Sequence, residues 1–366
     1  MKLIILFLLI CVALLPATPD AVSGAADSTR SIVDAAAGPL ARGPATGVAV
    51  GIVQGTTATF YTYGLMRRGG SPITPDTLFE IASVTKVFTS TLLGQFVVEG
   101  RRALSDPMAQ YLPGFLFSPG AQKVTLLQLA TFTAGLPDYP PGLPRSYTQW
   151  GLQSYTLQDL QTYLERWAPP TLPAPYLYSN LSYGLLGHAL STQDESWLEL
   201  LGSRITAPLQ LPDTVLTPSQ AQSTRLAQGY SRQGQPVSYF PVTVWLAAGG
   251  LKSTVRDLVT FAAANMGIAL NGITIPPTLQ QGMQQAQRPY FARNPLNSQA
   301  LAWVVRSPSQ PGGRGPLIVK NGGHPGFSSA IVLFPSGSVA VVVLANAGGV
   351  PVTEVAIRLM VQIPIR

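Results

Sequence analysis

Two groups of strand-like apolar segments lie near the two ends of this chain. Residues 46–53 and 57–64 are rich in Val, Thr and Tyr and are separated by Gln54-Gly55-Thr56, which predicts a hairpin. The same signal returns toward the C-terminus in four candidate strands, at 300–306, 317–321, 327–334 and 338–345. The pattern therefore predicts an antiparallel sheet to which both ends of the chain contribute.

Helical patterns occupy most of the sequence between and beyond these strands. The apolar stretch 82–98 predicts a helix that ends at Glu99-Gly100, because glycine suits a helix C-terminus. Short helical patterns rich in proline and glutamine fill the middle of the chain. Two more helices are predicted, at about 254–266 and at 352–362, where the pattern is amphipathic.

These elements predict an α+β fold, an α/β sandwich with the antiparallel sheet flanked by helices. We expect a sheet lobe formed by about 27–100 and 247–366, and a mostly helical lobe inserted at about 101–246. An active site is expected in the cleft between the two lobes, where ligand sites commonly lie.

The first residues form a short apolar segment. The run 3–15 is too short for a comfortable membrane span but is typical of a signal peptide. Small residues follow, and we expect cleavage after Ala17 or within 24–26. The expected division is thus a signal peptide at 1–25 and a catalytic domain at 26–366. We expect an exported protein of the bacterial cell envelope, periplasmic or secreted, with no stable membrane span.

Composition excludes several chemistries. The only cysteine, Cys11, lies in the expected leader, so the mature chain would use neither disulfides nor thiols. The net charge is +7, but the arginines are scattered, and we expect no nucleic-acid partner. With two histidines and no His-Glu-x-x-His motif, we expect no metal and no cofactor. His188 lies in an apolar helical pattern and is interpreted as structural, so lysine or tyrosine is favoured as the catalytic base.

Ser83-Val84-Thr85-Lys86 is the first segment with a chemical signature. A serine and a lysine three residues apart share one face of a helix. Lys86 is the only charged residue in the stretch 82–98. Burial among apolar neighbours would keep its amine neutral part of the time, and a neutral amine can accept the proton of the Ser83 hydroxyl.

Two later segments supply partners for this pair. In Tyr178-Ser179-Asn180 the tyrosine and the asparagine project to one side of an extended backbone. Lys320-Asn321-Gly322-Gly323 ends a predicted strand, and its glycines would let a substrate backbone lie against the sheet edge. The chain has only five lysines, and two of them fall in these motifs.

In this order the three motifs resemble those of the penicillin-recognising serine hydrolases, particularly the class C β-lactamase-like branch with its low-molecular-weight penicillin-binding proteins and D-alanyl-D-alanine carboxypeptidases. The likeness spans roughly 45–360 and includes further segments, at 79–82, 104–107, 111–113, 127–137, 249–253 and 326–329. Three positions depart from the pattern or stand out beside it. Asn321 replaces the usual threonine, Phe132 stands where many relatives have histidine, and His324 lies just past the third motif.

The resemblance implies acyl transfer through a covalent intermediate. Ser83 would attack a carbonyl group, and Lys86 or Tyr178 would accept its proton, a choice that the sequence leaves open. Lys86 and Lys320 would flank Tyr178, and their positive charge would favour the phenolate. We therefore assign catalysis to Ser83, Lys86 and Tyr178.

The resemblance also implies how substrate is held. Asn180 would hydrogen-bond the substrate amide, and Lys320 with Asn321 would hold its carboxylate. The backbone N–H groups of Ser83 and Gly323 would form the oxyanion hole. We assign substrate binding to Asn180, Lys320, Asn321 and Gly322.

The leading functional hypothesis is a peptidoglycan D-alanyl-D-alanine carboxypeptidase or endopeptidase that also binds penicillins. Its partners would be a peptidoglycan stem peptide or another small acyl substrate, and β-lactams. A class C-type β-lactamase or a carboxylesterase would use the same serine, and the alternatives differ in how fast water clears the acyl-enzyme. A non-hydrolytic β-lactam or muropeptide sensor is the alternative from another class.

Overall fold

Twelve strands form in the part of the chain that the computed structural model describes, residues 19–43, 46–141, 143, 155–241, 244–308 and 315–364. They are β1 (Gly47–Gln54), β2 (Thr57–Gly64), β3 (Phe79–Glu80), β4 (Gly229–Tyr230), β5 (Pro236–Val237), β6 (Lys252–Ser253), β7 (Phe291–Asn294), β8 (Asn297–Gln299), β9 (Val304–Arg306), β10 (Leu317–His324), β11 (Phe327–Phe334) and β12 (Val339–Ala345). Eight of them form one antiparallel sheet in the order β2-β1-β12-β11-β10-β9-β8-β7. The others pair as β3-β6 and β4-β5.

Helices flank this sheet and fill the middle of the chain. Within the described ranges they are α1 (Pro19–Ala37), α2 (Thr85–Val98), α3 (Leu126–Ala130), α4 (Leu157–Arg166), α5 (Asn180–Leu190), α6 (Trp197–Leu201), α7 (Gln220–Ser223), α8 (Leu246–Gly249), α9 (Val255–Asn265), α10 (Pro277–Gln287) and α11 (Val352–Gln362). None of these helices combines the length and the hydropathy that a membrane crossing requires. The predicted leader run at 3–15 lies outside the described residues.

Both faces of the sheet are buried, which explains the almost uniformly apolar sequence of its central strands. On one face, alternate residues such as Val341 and Val343 pack in a cluster with Val33 of α1 and Leu359 of α11. On the other face, residues such as Val342 join the larger core that includes α2, α9 and α10. The functional residues lie on this second side, where the sheet meets the helical region.

The sequence predictions hold for most elements. The hairpin β1-β2, the helices α2, α9 and α11, and the strands β10, β11 and β12 form where the patterns place them. The strands of the large sheet come from 47–64 and 291–345, on either side of the mostly helical middle of the chain. The observed architecture is therefore the antiparallel sheet flanked by helices that the patterns predicted.

The predictions were wrong in detail next to the third motif. The strand predicted at 300–306 is confined to β9, because Ala300 and Trp303 are joined by a backbone hydrogen bond in a turn where Ala302 has φ of 63°. Strand β10 does not end at Asn321 but continues to His324, since its glycines pair with β11. The short polar strands β7 and β8 were not predicted, because their sequences lack an apolar alternation.

Candidate active site

Ser83 lies in a single 3₁₀ turn between β3 and α2, and not in the α-helix that the pattern predicted. The preceding residue, Ala82, has φ of 47°, a left-handed conformation that is unfavourable for a residue with a side chain. This turn leads directly into α2, which begins at Thr85 and carries Lys86, so the expected proximity of Ser83 and Lys86 survives. Lys86 Nζ lies 3.3 Å from Ser83 Oγ.

Lys86 is fully buried and points at three oxygen atoms. Its Nζ lies 2.5 Å from Asn180 Oδ1 and 2.8 Å from the Ala248 carbonyl oxygen, in addition to Ser83 Oγ. Burial, and then the charge of Lys320, hold the pKa of Lys86 well below its usual value. A neutral amine has two N–H groups for the two carbonyl-type oxygens and one lone pair for the Ser83 proton. The geometry therefore suits a lysine that acts as a base.

Tyr178 approaches Ser83 from the other direction. Its hydroxyl donates a hydrogen bond of 2.6 Å to Ser83 Oγ. The Nζ atoms of Lys86 and Lys320 lie 5.0 and 5.3 Å from the centroid of its ring, so the two lysines flank Tyr178 as expected. The ring of Phe132 packs against Tyr178 with centroids 4.7 Å apart and fixes the ring position. Ser83 thus has a second neighbour that can exchange its proton.

Asn180 begins helix α5 and is oriented by two residues that the sequence analysis did not assign. Its Nδ2 donates to Asp138 Oδ1 at 2.8 Å and to the Tyr139 hydroxyl at 3.0 Å. Since both amide protons are engaged there, Oδ1 must face Lys86. Nothing in the sequence identifies Asp138, because its contact with Asn180 spans 42 positions.

The four residues of the third motif, Lys320 to Gly323, lie in different surroundings. Lys320 is buried, and burial followed by the charge of Arg293 lowers its pKa to about 7. Gly322 packs against the turn that carries the nucleophile, since a Cβ there would lie 2.9 Å from Ser83 N. Asn321 is exposed and pairs with Ala330, whose side chain faces the opposite core from the site, so the structure does not bring it into the Ser83 network. The predicted roles in substrate binding stay predictions.

A small pocket opens at Ser83. It is lined by Ser83, Tyr139, Asn180, Phe240, Trp245, Ala248, Gly249, Gly323 and His324. The two oxyanion-hole candidates, Ser83 and Gly323, therefore face one pocket. His188 is not part of this lining, and burial within α5 lowers its pKa.

This fold and this site define a serine hydrolase that can form an acyl-enzyme. A hydroxyl that is hydrogen-bonded to a phenol and lies beside a buried amine has the arrangement of an activated nucleophile. A second buried lysine stands behind the phenol.

Comparison with known proteins agrees with this class. Residues 32–363 match the family model described as Beta-lactamase. A beta-lactamase of Pseudomonas fluorescens is 30% identical, covering 88% of this chain and 94% of the relative, and one of Escherichia coli is 30% identical over 82% and 84%. The chain belongs to the beta-lactamase family.

Solved structures with the same fold come from two named activities. A class C beta-lactamase from Rhodobacter sphaeroides superposes with a TM-score of 0.77 at 27% identity, covering 92% of this chain and 98% of the other. A D-alanine carboxypeptidase from Burkholderia cenocepacia gives 0.77 at 29% identity, with 92% and 99% covered. A protein from Pseudomonas syringae described as a beta-lactamase/D-alanine carboxypeptidase gives 0.80 at 25% identity, with 91% and 98% covered. These neighbours confirm the α+β class of the fold.

Proposed function

We propose that this serine hydrolase is a peptidoglycan D-alanyl-D-alanine carboxypeptidase that also binds penicillins, acting in the bacterial cell envelope after export. The observation that carries the proposal is the position of Ser83 Oγ, 2.6 Å from the Tyr178 hydroxyl and 3.3 Å from Lys86 Nζ. Ser83 would attack the carbonyl of the terminal peptide bond or of the β-lactam ring. Its proton would pass through Tyr178 or Lys86 to the leaving nitrogen.

Charge near the nucleophile supports a substrate with a carboxylate. Lys320 and Arg293 are close enough for the Arg293 charge to lower the pKa of Lys320. Among the described residues, neither of them forms an ion pair with an acidic side chain. Penicillins and peptides that end in D-alanine both carry a carboxylate next to the bond that is cleaved, and such a group would complete this cationic site.

The test uses the purified protein with a fluorescent penicillin and with a muropeptide pentapeptide. We expect a covalent label on the peptide that contains Ser83 and release of D-alanine. Ser83→Ala should lose both while its free energy of unfolding stays within about 0.5 kcal/mol of wild type. Ser182→Ala is the matched control, because Ser182 Oγ is buried near the site without a hydrogen-bond partner among the described residues. Labelling or turnover by folded Ser83→Ala would refute the proposed nucleophile.

A β-lactamase is the second candidate, and the curated relatives at 30% identity favour it. The lifetime of the label separates the two, because a β-lactamase releases the penicilloyl group quickly whereas a carboxypeptidase retains it. Ester cleavage without either activity would indicate a carboxylesterase. A permanent label with no release of D-alanine would indicate a sensor.

Export has its own test. N-terminal sequencing of the protein recovered from the cell envelope should find a chain that begins after Ala17 or within 24–26. An intact Met1 on the native protein would refute the proposed signal peptide.

A further inference from the structure

A buried carboxylate and a histidine form a pair at the pocket that contains Ser83. His324 Nδ1 lies 3.0 Å from Glu80 Oε2, and only 7% of the His324 side chain and 3% of the Glu80 side chain are exposed. Phe240 stacks on the imidazole with ring centroids 4.2 Å apart. His324 and Phe240 both line the pocket, whereas none of the roles assigned above uses this pair.

The hydrogen bonds determine which imidazole nitrogen is available. A carboxylate can only accept hydrogen bonds, so Nδ1 carries the proton that points to Glu80. The other carboxylate oxygen of Glu80 accepts from the backbone N–H of Phe240 at 2.7 Å. In the neutral imidazole the lone pair is then on Nε2, the nitrogen that can accept a proton.

Nε2 faces the region of the peptide group that joins Ala82 to Ser83. A methyl group added at Gly249 would sit 3.3 Å from His324 Nε2 and 3.8 Å from the carbonyl carbon of Ala82, which is bonded to Ser83 N. Gly249 also lines the pocket. Ser83 and His324 thus line the same pocket, whose volume of about 20 Å³ is enough to hold a water molecule.

Among the residues that the structure describes, the charged group beside the pair is Lys252, which is not one of those around Tyr178. Lys252 Nζ lies 4.0 Å from Glu80 Oε1 and donates to the Leu216 carbonyl at 3.3 Å. The Glu80 charge contributes to the raised pKa of Tyr239, after burial. The pair is thus held in a local network separate from Lys86 and Lys320.

We propose that His324 is the base that activates water in the deacylation step and that Glu80 is its positioning residue; this inference rests on the acyl-enzyme of the proposed function. The water oxygen bonds to the acyl carbon while His324 Nε2 takes one water proton. The bond from the acyl carbon to Ser83 Oγ then breaks, and Oγ takes a proton from Tyr178. The proton on His324 returns to Tyr178 through solvent, which leaves the free acid and the restored enzyme.

The test measures acylation and deacylation separately, with the muropeptide pentapeptide by rapid quench and with a penicillin by the decay of its label. In His324→Gln we expect the rate of acyl-enzyme formation to stay within about threefold of wild type and deacylation to fall roughly 10²-fold. His188→Gln is the matched control, since His188 lies outside the pocket lining, and its deacylation rate should not change. Equal acyl-enzyme lifetimes in His324→Gln and wild type would overturn the proposal.

The dependence on pH distinguishes a base from a structural residue. An imidazolium cannot accept a proton, so deacylation by wild type should slow at acid pH, and this limb should be absent in His324→Gln. Glu80→Gln removes the negative charge beside the imidazole, so the limb should move to lower pH. Lys86, Lys320 and Lys252 are present in all of these proteins, so only the difference between the pH profiles is assigned to the His324–Glu80 pair. An unchanged limb in both variants would also overturn the proposal.

The same experiment separates this inference from the proposed function. If wild type never forms an acyl-enzyme, the proposed function fails. If it does and the His324→Gln lifetime is normal, only the role of His324 fails. Gly249→Ala leaves both partners intact. Its methyl group would lie 3.3 Å from His324 Nε2 in the lining of the pocket, so it should lengthen the acyl-enzyme lifetime.

Discussion

Gly322→Ala should displace the nucleophile without altering any catalytic side chain. The added Cβ would lie 2.4 Å from the Ile81 carbonyl oxygen, 2.5 Å from Ser329 Oγ and 2.9 Å from Ser83 N. Two of these are backbone atoms that cannot rotate away. Restoring ordinary contact requires the turn or the strand to move by about 1 Å. The hydrogen bond from Ser329 Oγ to the Ile81 carbonyl, 2.7 Å long, resists that movement.

A displacement of this size should be visible in both rate and stability. The Ser83 hydroxyl lies 2.6 Å from the Tyr178 hydroxyl, and a misplacement of about 1 Å in such an arrangement costs roughly 10²-fold in rate. Overpacking should lower the free energy of unfolding by about 1–3 kcal/mol. Stopped-flow acylation by a chromogenic cephalosporin and urea unfolding measure the two effects. Acylation within about threefold of wild type would refute the reasoning.

The neighbouring glycine provides the control for stability. A Cβ on Gly323 would meet no atom within 4 Å. Gly323→Ala should therefore change the free energy of unfolding by less than about 0.5 kcal/mol. If Gly323→Ala lowered the free energy of unfolding as much as Gly322→Ala does, alanine would be unfavourable in this strand for a reason other than contact with the Ser83 turn.

Three further predictions concern ionisable groups. Tyr178→Phe should slow acylation about 10²–10³-fold at nearly unchanged stability, because it removes only the hydroxyl on Ser83; stopped-flow acylation tests this. Lys320 has a pKa of about 7 in the folded chain and about 10.4 in the unfolded chain, so the unfolded chain binds more protons between these pH values. The free energy of unfolding should therefore rise with pH over this range, and Lys320→Met should reduce that rise in urea titrations. Burial raises the pKa of Asp257 to about 7, so its protonation stabilises the folded chain below about pH 4, and this stabilisation is lost as pH rises to about 7. Asp257→Asn should therefore reduce the fall in the free energy of unfolding between these pH values in urea titrations. An unchanged dependence of stability on pH would contradict this prediction.

Local patterns predicted most of the fold because the forces that set them are local. The strand-forming residues of β1 and β2, and the turn that joins them, lie within the single continuous segment 47–64. The hairpin of β7 and β8 could not be predicted in this way. Its polar strands are held by pairing with β9 at the sheet edge, and a strand of that kind has no apolar periodicity.

The part of the site that could be predicted consists of reactive residues that lie a few positions apart in one motif. Ser83 and Lys86 are three positions apart, and their contact follows from helical geometry. The structure adds the residues that orient them. Asp138 fixes the Asn180 amide and Glu80 fixes the His324 imidazole, the latter across 244 positions. Such contacts depend on how distant segments pack, and a single sequence holds no signal for them.

The charge of Lys320 acts on Lys86, the amine beside the nucleophile. Burial and then the charge of Lys320 lower the pKa of Lys86, and burial and then the charge of Arg293 lower the pKa of Lys320. A bound carboxylate would cancel the field of Lys320 at Lys86 and raise the proton affinity of Lys86 when Ser83 must be deprotonated. Lys320→Met should therefore reduce the acylation rate less for substrates without a carboxylate than for substrates that have one. Equal reductions in the acylation rate for both kinds of substrate would contradict this coupling.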